Sequence, residues 1–417
     1  MKRIILSVIY VLLFISFAQA VELKPDFYVR LRHIVQDFQD NYKDLNYNTF
    51  RIKTSLGLQT DFNETFGTYI RLMNENRPYI YNLPGKSSMY NINEFILESL
   101  YFDVKNLFNK TLDIRIGRQN LYYGDGFLVW EGTPGDGSRS IYFNAVKFTI
   151  KTEPATIDII GHSGTKYEQY LPVFNQTNPA TKLNLSNEQS AMVFVKSKLS
   201  DKVCIEPYYI FKSEEVTYYE NINTLGNYIK YKNNLWTVRG QLAGQLRNNY
   251  AGTGFAFGGY GFIEREEIFF NDILIFGTMY LSGNNKDTNA NEGWDNLYGR
   301  GMFIWSDLLC FLYLPETGDV GYWTNLQMYQ LQYKLKLSDK ICVSATYAML
   351  YANEVVTGTQ FGEGKERGSL TLAEFIYQFN KNIRFLVYGE YFRAGNFYNN
   401  NNLKNGSFLK TELTLNF

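Results

Sequence analysis

Apolar and polar side chains alternate at every second position over much of this chain, and this pattern constrains the fold more than any other feature. In the segment 27–32, Phe27, Val29 and Leu31 share one face of an extended backbone, and Tyr and Arg side chains share the other. The segment 329–336 repeats the pattern with Tyr and Leu against Gln and Lys. A helix would instead repeat its apolar residues at spacings of three and four. Each segment is therefore predicted to be a β-strand with one apolar face.

The connections between the predicted strands alternate in length. Many strands run about 10–14 residues, longer than the usual strand of about five or six. Short turns are predicted at 61–64, 152–154, 200–202, 264–267, 338–340 and 380–382. Longer polar stretches fall between them, at 36–48, 76–90, 119–137, 164–187, 214–225, 282–321, 353–367 and 395–406. Short turns at one end and long loops at the other are typical of outer-membrane barrels.

The side on which each connection lies sets the number of strands. Both termini of such a barrel are periplasmic, so the last strand, 407–417, runs toward the periplasm. Strands counted inward from the two termini place each connection on the same side of the membrane only if 226–232 is a separate strand that turns at Asn233-Asn234. The predicted fold is therefore all-β, a single antiparallel transmembrane β-barrel of about 18 strands with short periplasmic turns and long extracellular loops. Because 94–104 and 367–380 alternate poorly, about 16 strands is the alternative.

Residues 1–20 have the pattern of a secretory signal peptide. A basic start precedes an apolar run over 4–17, and Ala18-Gln19-Ala20 supplies a small-x-small cleavage site. The apolar run is too short for a transmembrane helix, which needs about 20 residues. We expect cleavage after Ala20, export to the bacterial outer membrane, and a barrel channel over residues 21–417.

Composition excludes several other classes of protein. Aromatic residues make up 17% of the chain, which favours strands and membrane interfaces over helices. The 41 Lys and Arg residues balance 41 Asp and Glu residues, so no nucleic-acid partner is expected. Three widely spaced cysteines indicate neither a disulfide framework nor a metal site, and no cofactor is expected. His162-Ser163 is the only candidate for a barrel-hydrolase dyad, so an enzyme is not predicted.

The polar faces of the strands define the inner surface, because the apolar faces must contact lipid. A barrel of about 16–18 strands leaves an aqueous channel. Alternation places more basic than acidic residues inside. The basic set is Arg30, Arg32, Arg51, Lys53, Arg71, Arg115, Lys147, Lys196, Lys198, Lys230, Arg239 and Lys334. The acidic set is Glu98, Asp113, Asp158 and Glu206. Two interpretations remain open. The charges line a pore that selects its solutes, or they pair with one another across strands and only solvate the wall of a wide pore.

The last strand ends in an aromatic residue. Leu409, Leu413, Leu415 and Phe417 share its apolar face. A terminal aromatic on an alternating strand resembles the recognition signal of the outer-membrane barrel assembly machinery. Outer-membrane lipid and that machinery, acting through Phe417, are therefore expected partners.

Two stretches carry a family resemblance. The first contains Gly117-Arg118-Gln119, then Tyr123-Gly124-Asp125, then Asp136-Gly137 followed by Arg139. The second, 293–308, contains Asp295 followed by Leu297-Tyr298-Gly299. In this order the motifs resemble the alginate-export family of outer-membrane porins. The resemblance implies a barrel lined by arginines and narrowed by inward loops. It places these residues at the constriction: Arg118, Arg139, Gln119, Asp125 and Asp136.

The resemblance implies a channel for anionic small molecules or for an anionic polysaccharide such as a polyuronate. Guanidinium groups support this, because they stay charged and bind carboxylates through two hydrogen bonds. Two alternatives are a general porin without preference and a surface receptor or adhesin that acts through its long loops. Arg118 either lines the pore or pins the loop by pairing with Asp125 or Asp136, and the two roles are compatible.

Overall fold

The computed structural model describes residues 21–38, 46–81, 89–90, 94–130, 142–175, 186–215, 219–299, 306–318, 320–399 and 403–417. Eighteen antiparallel strands form a closed barrel. The first nine are β1 Glu22–Phe38, β2 Tyr47–Asp61, β3 Phe66–Tyr81, β4 Phe95–Asn106, β5 Leu112–Gln119, β6 Phe143–Lys151, β7 Ala155–Gly164, β8 Asn187–Lys198 and β9 Val203–Glu215. The other nine are β10 Tyr219–Asn233, β11 Trp236–Asn249, β12 Gly252–Glu266, β13 Asp272–Leu281, β14 Leu326–Lys336, β15 Ile341–Tyr351, β16 Glu366–Asn380, β17 Ile383–Ala394 and β18 Asn405–Asn416.

The barrel closes by pairing its first strand with its last. Leu31 lies opposite Leu413, and Arg32 lies opposite Glu412, in the antiparallel register of β1 and β18. Every other wall strand pairs with its two neighbours in the chain. The wall therefore has no free edge, which satisfies the backbone hydrogen bonds that a lipid environment requires.

Side chains alternate between the two faces of the wall as the sequence predicts. Leu31 is 42% exposed and Leu56 is 60% exposed on the outer face, whereas Arg30 and Lys53 are buried on the inner face. The two-residue alternation of β1 and β2 therefore separates a lipid-compatible surface from a charged interior.

The strand count of eighteen is confirmed, and the alternative of sixteen is wrong. Alternation in 94–104 is poor because β4 carries a bulge, where the register with β3 shifts between Arg71 and Leu72. The register of β16 against β17 shifts between Gln378 and Asn380. A bulge inserts one residue, so it inverts the inside-outside pattern without ending the strand.

The connections separate into a short-turn end and a long-loop end, and the six predicted short turns lie at the first. The turn at Asn234, with φ 49°, is confirmed, but β10 also includes residues 219–225. The predicted loop 214–225 is thus wrong. The segment was predicted to be a loop because it is polar. Its acidic residues Glu214 and Glu220 instead belong to strands and are buried inside the barrel. The turn Leu107–Lys110 also lies at the short-turn end and has left-handed backbone at Phe108.

Two short helices lie in the connection between β13 and β14. They are α1, Asp307–Leu312, and α2, Leu314–Thr317. Leu308, Leu309 and Leu312 of α1 are buried in a cluster that also contains Phe392 and Phe408 of the wall. Part of the barrel interior is therefore a packed core. In the part of the chain that the structure describes, no helix is long and apolar enough to cross a membrane.

Candidate functional site in the barrel interior

The chain turns into the barrel after β5, and we call residues 120–130 the inner loop. Its tip is a tight turn in which the Gly126 N–H donates to the Tyr123 carbonyl at 3.0 Å. Gly124 and Gly126 have φ of 56° and 81°, values that favour glycine. Leu121, Phe127 and Leu128 are buried. The inner loop is therefore packed inside the barrel, as the resemblance implies for this segment.

Tyr123, the first residue of the tip turn, fixes the inner loop to the wall. Its ring stacks on Phe194 with 3.7 Å between ring centroids, and its hydroxyl donates to Asp158 at 2.8 Å. The Lys196 ammonium lies 4.5 Å from the centroid of the same ring. Stacking, a charge-assisted hydrogen bond and a cation–π contact therefore hold this residue in one position.

Asp125, at the tip, contacts three neighbouring strands of the wall. Tyr228 on β10 donates to Oδ1 at 3.3 Å, and Tyr260 on β12 donates to Oδ2 at 3.1 Å. Arg239 on β11 donates from Nη1 to Oδ2. Arg239 also donates from Nε to Glu264 at 2.6 Å. The tip carboxylate is thus held by one cation and two hydroxyl groups inside the barrel.

A second part of the chain, between β13 and β14, packs against the inner loop. The Tyr298 N–H donates to the Leu128 carbonyl at 2.9 Å. Trp294 is fully buried, with its ring centroid 5.3 Å from that of Phe127. The two motif-bearing stretches of the sequence therefore meet inside the barrel.

Asp295 connects this second part to the wall through charge. Tyr322 donates to Asp295 at 2.6 Å, and Arg247 lies 3.6 Å away while binding Glu220 with two hydrogen bonds of 2.9 and 2.8 Å. Burial by itself would raise the pKa of Asp295, but the charges of Lys212 and Arg247 and the Tyr322 hydroxyl lower it below its ordinary value of 3.8. Asp295 is therefore an anion at neutral pH.

Six of the predicted pore residues lie together on β1–β5, and we call them, with their acidic partners, the charged wall. Its basic members are Arg30, Arg32, Arg51, Lys53, Arg71 and Arg115. Its acidic members are Asp26, Glu75, Glu98, Asp103 and Glu412. Six cations against five carboxylates leave one positive charge in excess.

The ion pairs of the charged wall vary in length. Arg32 contacts Glu412 at 2.6 Å, and Arg115 binds both oxygens of Asp103 at 2.7 and 2.9 Å. Glu98 is 3.5 Å from Arg71 and 3.8 Å from Lys53. The predicted basic surface is thus extensively paired across strands, the alternative that the sequence left open.

The acidic set predicted inside the barrel is too small. Glu75, Asp103 and Glu412 occupy inward positions but were omitted from it. Alternation along β18 places Glu412 inside, so a complete use of the same pattern finds it. Asp103 follows the bulge of β4, where counting by two no longer works.

Arg118 lies on the face of Ile116, opposite from Arg115, by the alternation of β5. Its guanidinium donates to Asn144 Oδ1 at 2.9 Å, to the Leu97 carbonyl at 3.0 Å and to Glu168 Oε1 at 2.9 Å. This position on the outer face does not fit the pore-lining role predicted for Arg118. The expected pairing with Asp125 is wrong as well, and Asp136 lies outside the described residues. Its partner, Glu168, belongs to residues 165–175, which we call the strap.

The strap extends from β7 to the edge of β4, where Val173–Phe174 pairs with Phe95 and Ile96. It occupies the edge of β4 beyond the point where β5 turns inward. Arg118, at that point, therefore fastens the strap to the wall rather than the inner loop to the wall.

The remaining constriction residues have different positions. Gln119 is buried and donates from Nε2 to the Ala145 carbonyl at 3.0 Å. This hydrogen bond holds the end of β5 against β6, at the point where the inner loop begins. Asp136 and Arg139 lie outside the described residues, as does the predicted signal peptide 1–20.

Further basic residues extend toward the short-turn end. Lys147 lies opposite Arg115 in the register of β5 and β6 and adds a positive charge beside the charged wall. The Lys196 side chain is 41% exposed, with its ammonium 3.9 Å from Asp158. These ammonium groups are more accessible than the buried arginines.

No catalytic dyad forms at His162-Ser163. Ser163 shares a hydrogen bond of 2.8 Å with the Tyr170 hydroxyl, whereas His162 is buried against Phe143 and Tyr298 inside the barrel. Neighbouring strand residues point to opposite faces, which separates the two side chains. Among the described residues, no group of three or more His, Cys, Asp or Glu side chains is arranged to hold a metal ion.

Comparisons with known proteins bear on the fold. No protein-family profile matches the chain, and no curated protein matches its sequence. Solved structures of Pseudomonas aeruginosa porins do match. OccK5 (OpdH) has a TM-score of 0.62 at 13% identity, covering 95% of this chain and 98% of its own. OccK2 (OpdF) in complex with glucuronate has a TM-score of 0.59 at 11% identity, covering 95% and 98%.

OccK11 (OpdR), from the same organism, has a TM-score of 0.59 at 9% identity and covers 95% of this chain and 96% of its own. These proteins are outer-membrane porins with 18-stranded barrels. The chain therefore has the fold of an outer-membrane porin. The alginate-export resemblance gains no support from these comparisons.

Proposed function

We propose that this protein is a bacterial outer-membrane channel that passes small anionic solutes by diffusion. The observation that carries the proposal is the charged wall, which has six cations against five carboxylates on adjacent strands. Lys147 adds a further positive charge next to Arg115. The charged wall thus has a positive excess, although the whole chain has no net charge.

A small excess of fixed charge is enough to select ions in a narrow passage. Protein walls have a low dielectric constant, which focuses the field of the fixed charges and raises the local concentration of counter-ions. Arginines keep their charge at any physiological pH. Anions are therefore expected to enter more readily than cations.

The packed interior favours small solutes over polymers. The inner loop and helix α1 contribute buried side chains such as Phe127 and Leu308 to a core inside the barrel. A polysaccharide would need a wider continuous passage. The glucuronate complex of OccK2, which has the same fold, supports a sugar acid as the class of solute. Export of an anionic polysaccharide such as a polyuronate is the alternative to the passage of small anions.

Reversal potential in a planar bilayer under a salt gradient tests the proposal. The wild-type channel is expected to prefer chloride over potassium. A cation-selective channel would contradict it, and a reversal potential near zero would favour the general porin instead.

The receptor or adhesin alternative draws less support from the positions of the long connections. Trp294, Leu308 and Trp323 of the connection between β13 and β14 are buried inside the barrel, where they are unavailable to a partner. Deletion of 282–321 separates the two functions. A channel gains conductance when this material leaves the pore, whereas an adhesin loses cell binding while its conductance stays the same.

A further inference from the structure

Three donors on neighbouring wall strands converge on a single carboxylate, and we call Tyr228, Arg239 and Tyr260 the cradle. Tyr228 donates to Asp125 Oδ1, and Tyr260 and Arg239 both donate to Oδ2. Each carboxylate oxygen thus has a donor. One guanidinium with two hydroxyl groups is a donor set suited to a carboxylate.

The wall builds the cradle independently of the inner loop. Gln241 lies directly opposite both Tyr228 and Tyr260 in the strand register, and Arg239 lies two residues before it on β11. The three donors therefore occupy adjacent inward positions. Arg239 Nε donates to Glu264 at 2.6 Å, and Nη1 of the same guanidinium donates to the carboxylate in the cradle.

The Phe262 ring also supports the cradle. The Arg239 guanidinium carbon lies 4.9 Å from its centroid, within the range of a cation–π contact. Packing and hydrogen bonding thus orient the arginine before any carboxylate arrives. Such preorganisation lowers the cost of binding an anion.

The carboxylate in the cradle comes from a tip that has few other attachments. Asp125 lies between Gly124 and Gly126, while Tyr123 and Phe127, which flank these glycines, are held by ring stacking. One further contact at the tip is the Gly124 N–H, which donates to Glu206 at 3.2 Å. Asp125 can therefore leave the cradle without unpacking the inner loop.

Water reaches the cradle. The side chains of Asp125 and Arg239 are 20% and 19% exposed, in a barrel where Arg30 and Lys53 are almost fully buried. A dissolved carboxylate is chemically equivalent to the Asp125 side chain. Exchange of one for the other keeps the arginine paired with a carboxylate, and the displaced Asp125 side chain is part of the surface that water reaches.

We propose that the cradle is a binding site for the carboxylate of a permeating solute, and that Asp125 occupies it as an internal competitor. The proposal rests on the proposed function, because the solute must enter the barrel. Arrival of the solute displaces Asp125, and departure of the solute restores the original pairing. Passage of the solute is thereby coupled to movement of the tip.

Asp125→Asn tests the proposal in planar bilayers. Glucuronate is the probe, and glucose is its neutral counterpart of similar size. The half-saturating glucuronate concentration is read from interruptions of the ionic current. Removing the competing charge is expected to lower this concentration about tenfold, as when a site that is mostly blocked becomes available. Glucose is expected to give no such change.

Asp113→Asn is the matched control. Asp113 pairs with Lys151 at 2.5 Å on the inner face near the short-turn end. Its substitution removes the same unit of negative charge from the barrel but leaves the cradle intact. An equal gain in Asp113→Asn would show a general charge effect and would overturn the proposal.

Arg239→Gln completes the test. In combination with Asp125→Asn it should abolish the gain in glucuronate binding. Asp125→Ala serves as the second variant if the asparagine variant assembles poorly, and mobility of unheated samples in gels verifies the folded barrel. An anion-selective channel with unchanged glucuronate binding in Asp125→Asn overturns this inference alone, whereas a cation-selective wild type overturns the proposed function.

Discussion

The Glu390 carboxylate accepts a 2.6 Å hydrogen bond from the Ser306 hydroxyl, which ties the start of helix α1 to strand β17. The same carboxylate accepts the backbone N–H groups of Asp307 at 2.6 Å and Leu308 at 3.2 Å. Lys410 contacts Asp307 at 3.1 Å. A wall carboxylate thus accepts hydrogen bonds from N–H groups at the buried start of the helix, where no intrahelical acceptor exists.

Glu390→Ala is expected to release α1 from the wall. Three buried donors lose their acceptor, and leaving buried polar groups unsatisfied costs about 1–3 kcal/mol each. The variant should unfold at lower denaturant concentration and show a larger, noisier channel conductance. Glu374→Gln is the control, since Glu374 lies on the inner face of β16. A stable variant with wild-type conductance would argue against this role of Glu390.

The strap is expected to detach at acid pH. Burial by itself would raise the pKa of Glu168, but Arg118 and the N–H groups of Tyr170 and Leu171 lower it below 4.5. A lowered folded-state pKa gives stability that is complete above 4.5 and is lost as the pH falls through the folded value. The protection of the strap amides against hydrogen exchange, relative to the intrinsic rate at each pH, should therefore fall on acidification.

Arg118→Gln provides the comparison for this prediction. Without the guanidinium, protection of the strap amides should already be low at neutral pH and should change little with pH. If protection of the strap falls with pH equally in wild type and variant, a group other than the Arg118–Glu168 pair controls the pH dependence.

If the protein is the anion channel that we propose, Lys147→Glu is expected to reduce its preference for anions. The substitution reverses a charge opposite Arg115, next to the charged wall. The shift in reversal potential should be large at low salt and small at high salt, because the Debye length falls from about 30 Å at 0.01 M to about 3 Å at 1 M. Lys24→Glu, at the start of β1, is the control. Equal shifts in both variants would contradict a specific role for Lys147.

Phe417→Ser is expected to lower the amount of folded barrel in the outer membrane. The Phe417 backbone pairs with Phe27 through two 2.8 Å hydrogen bonds, while its side chain is 59% exposed. The side chain therefore adds little to closure of the barrel and is available for recognition during assembly. Phe417→Tyr retains the aromatic ring and should assemble normally. Normal levels of the heat-modifiable band in Phe417→Ser would contradict this.

The strand architecture could be read from the sequence because alternation is a local property. Every side chain of a strand lies on one of two faces, so Phe27, Val29 and Leu31 reveal both the strand and its outward face. Short turns and long loops then gave the strand number. Alternation does not assign the faces correctly at the bulge of β4, because a single inserted residue exchanges the two faces for the residues of the strand that follow it.

The functional surface depended on contacts that no local pattern contains. Arg118 and Asp125 are seven residues apart, yet one pairs with Glu168 of the strap and the other with Arg239 of β11. These pairings between distant segments depend on how the inner loop packs inside the barrel and how the strap packs against β4. Alternation assigned Arg30 and Arg32 to the interior, but only the register of β1 against β18 placed Glu412 beside them. The sequence by itself determined that this chain closes into a barrel, since every backbone polar group in lipid must be paired. The tertiary structure decided which charges stay available inside, because ion pairing depends on distances between residues far apart in the chain.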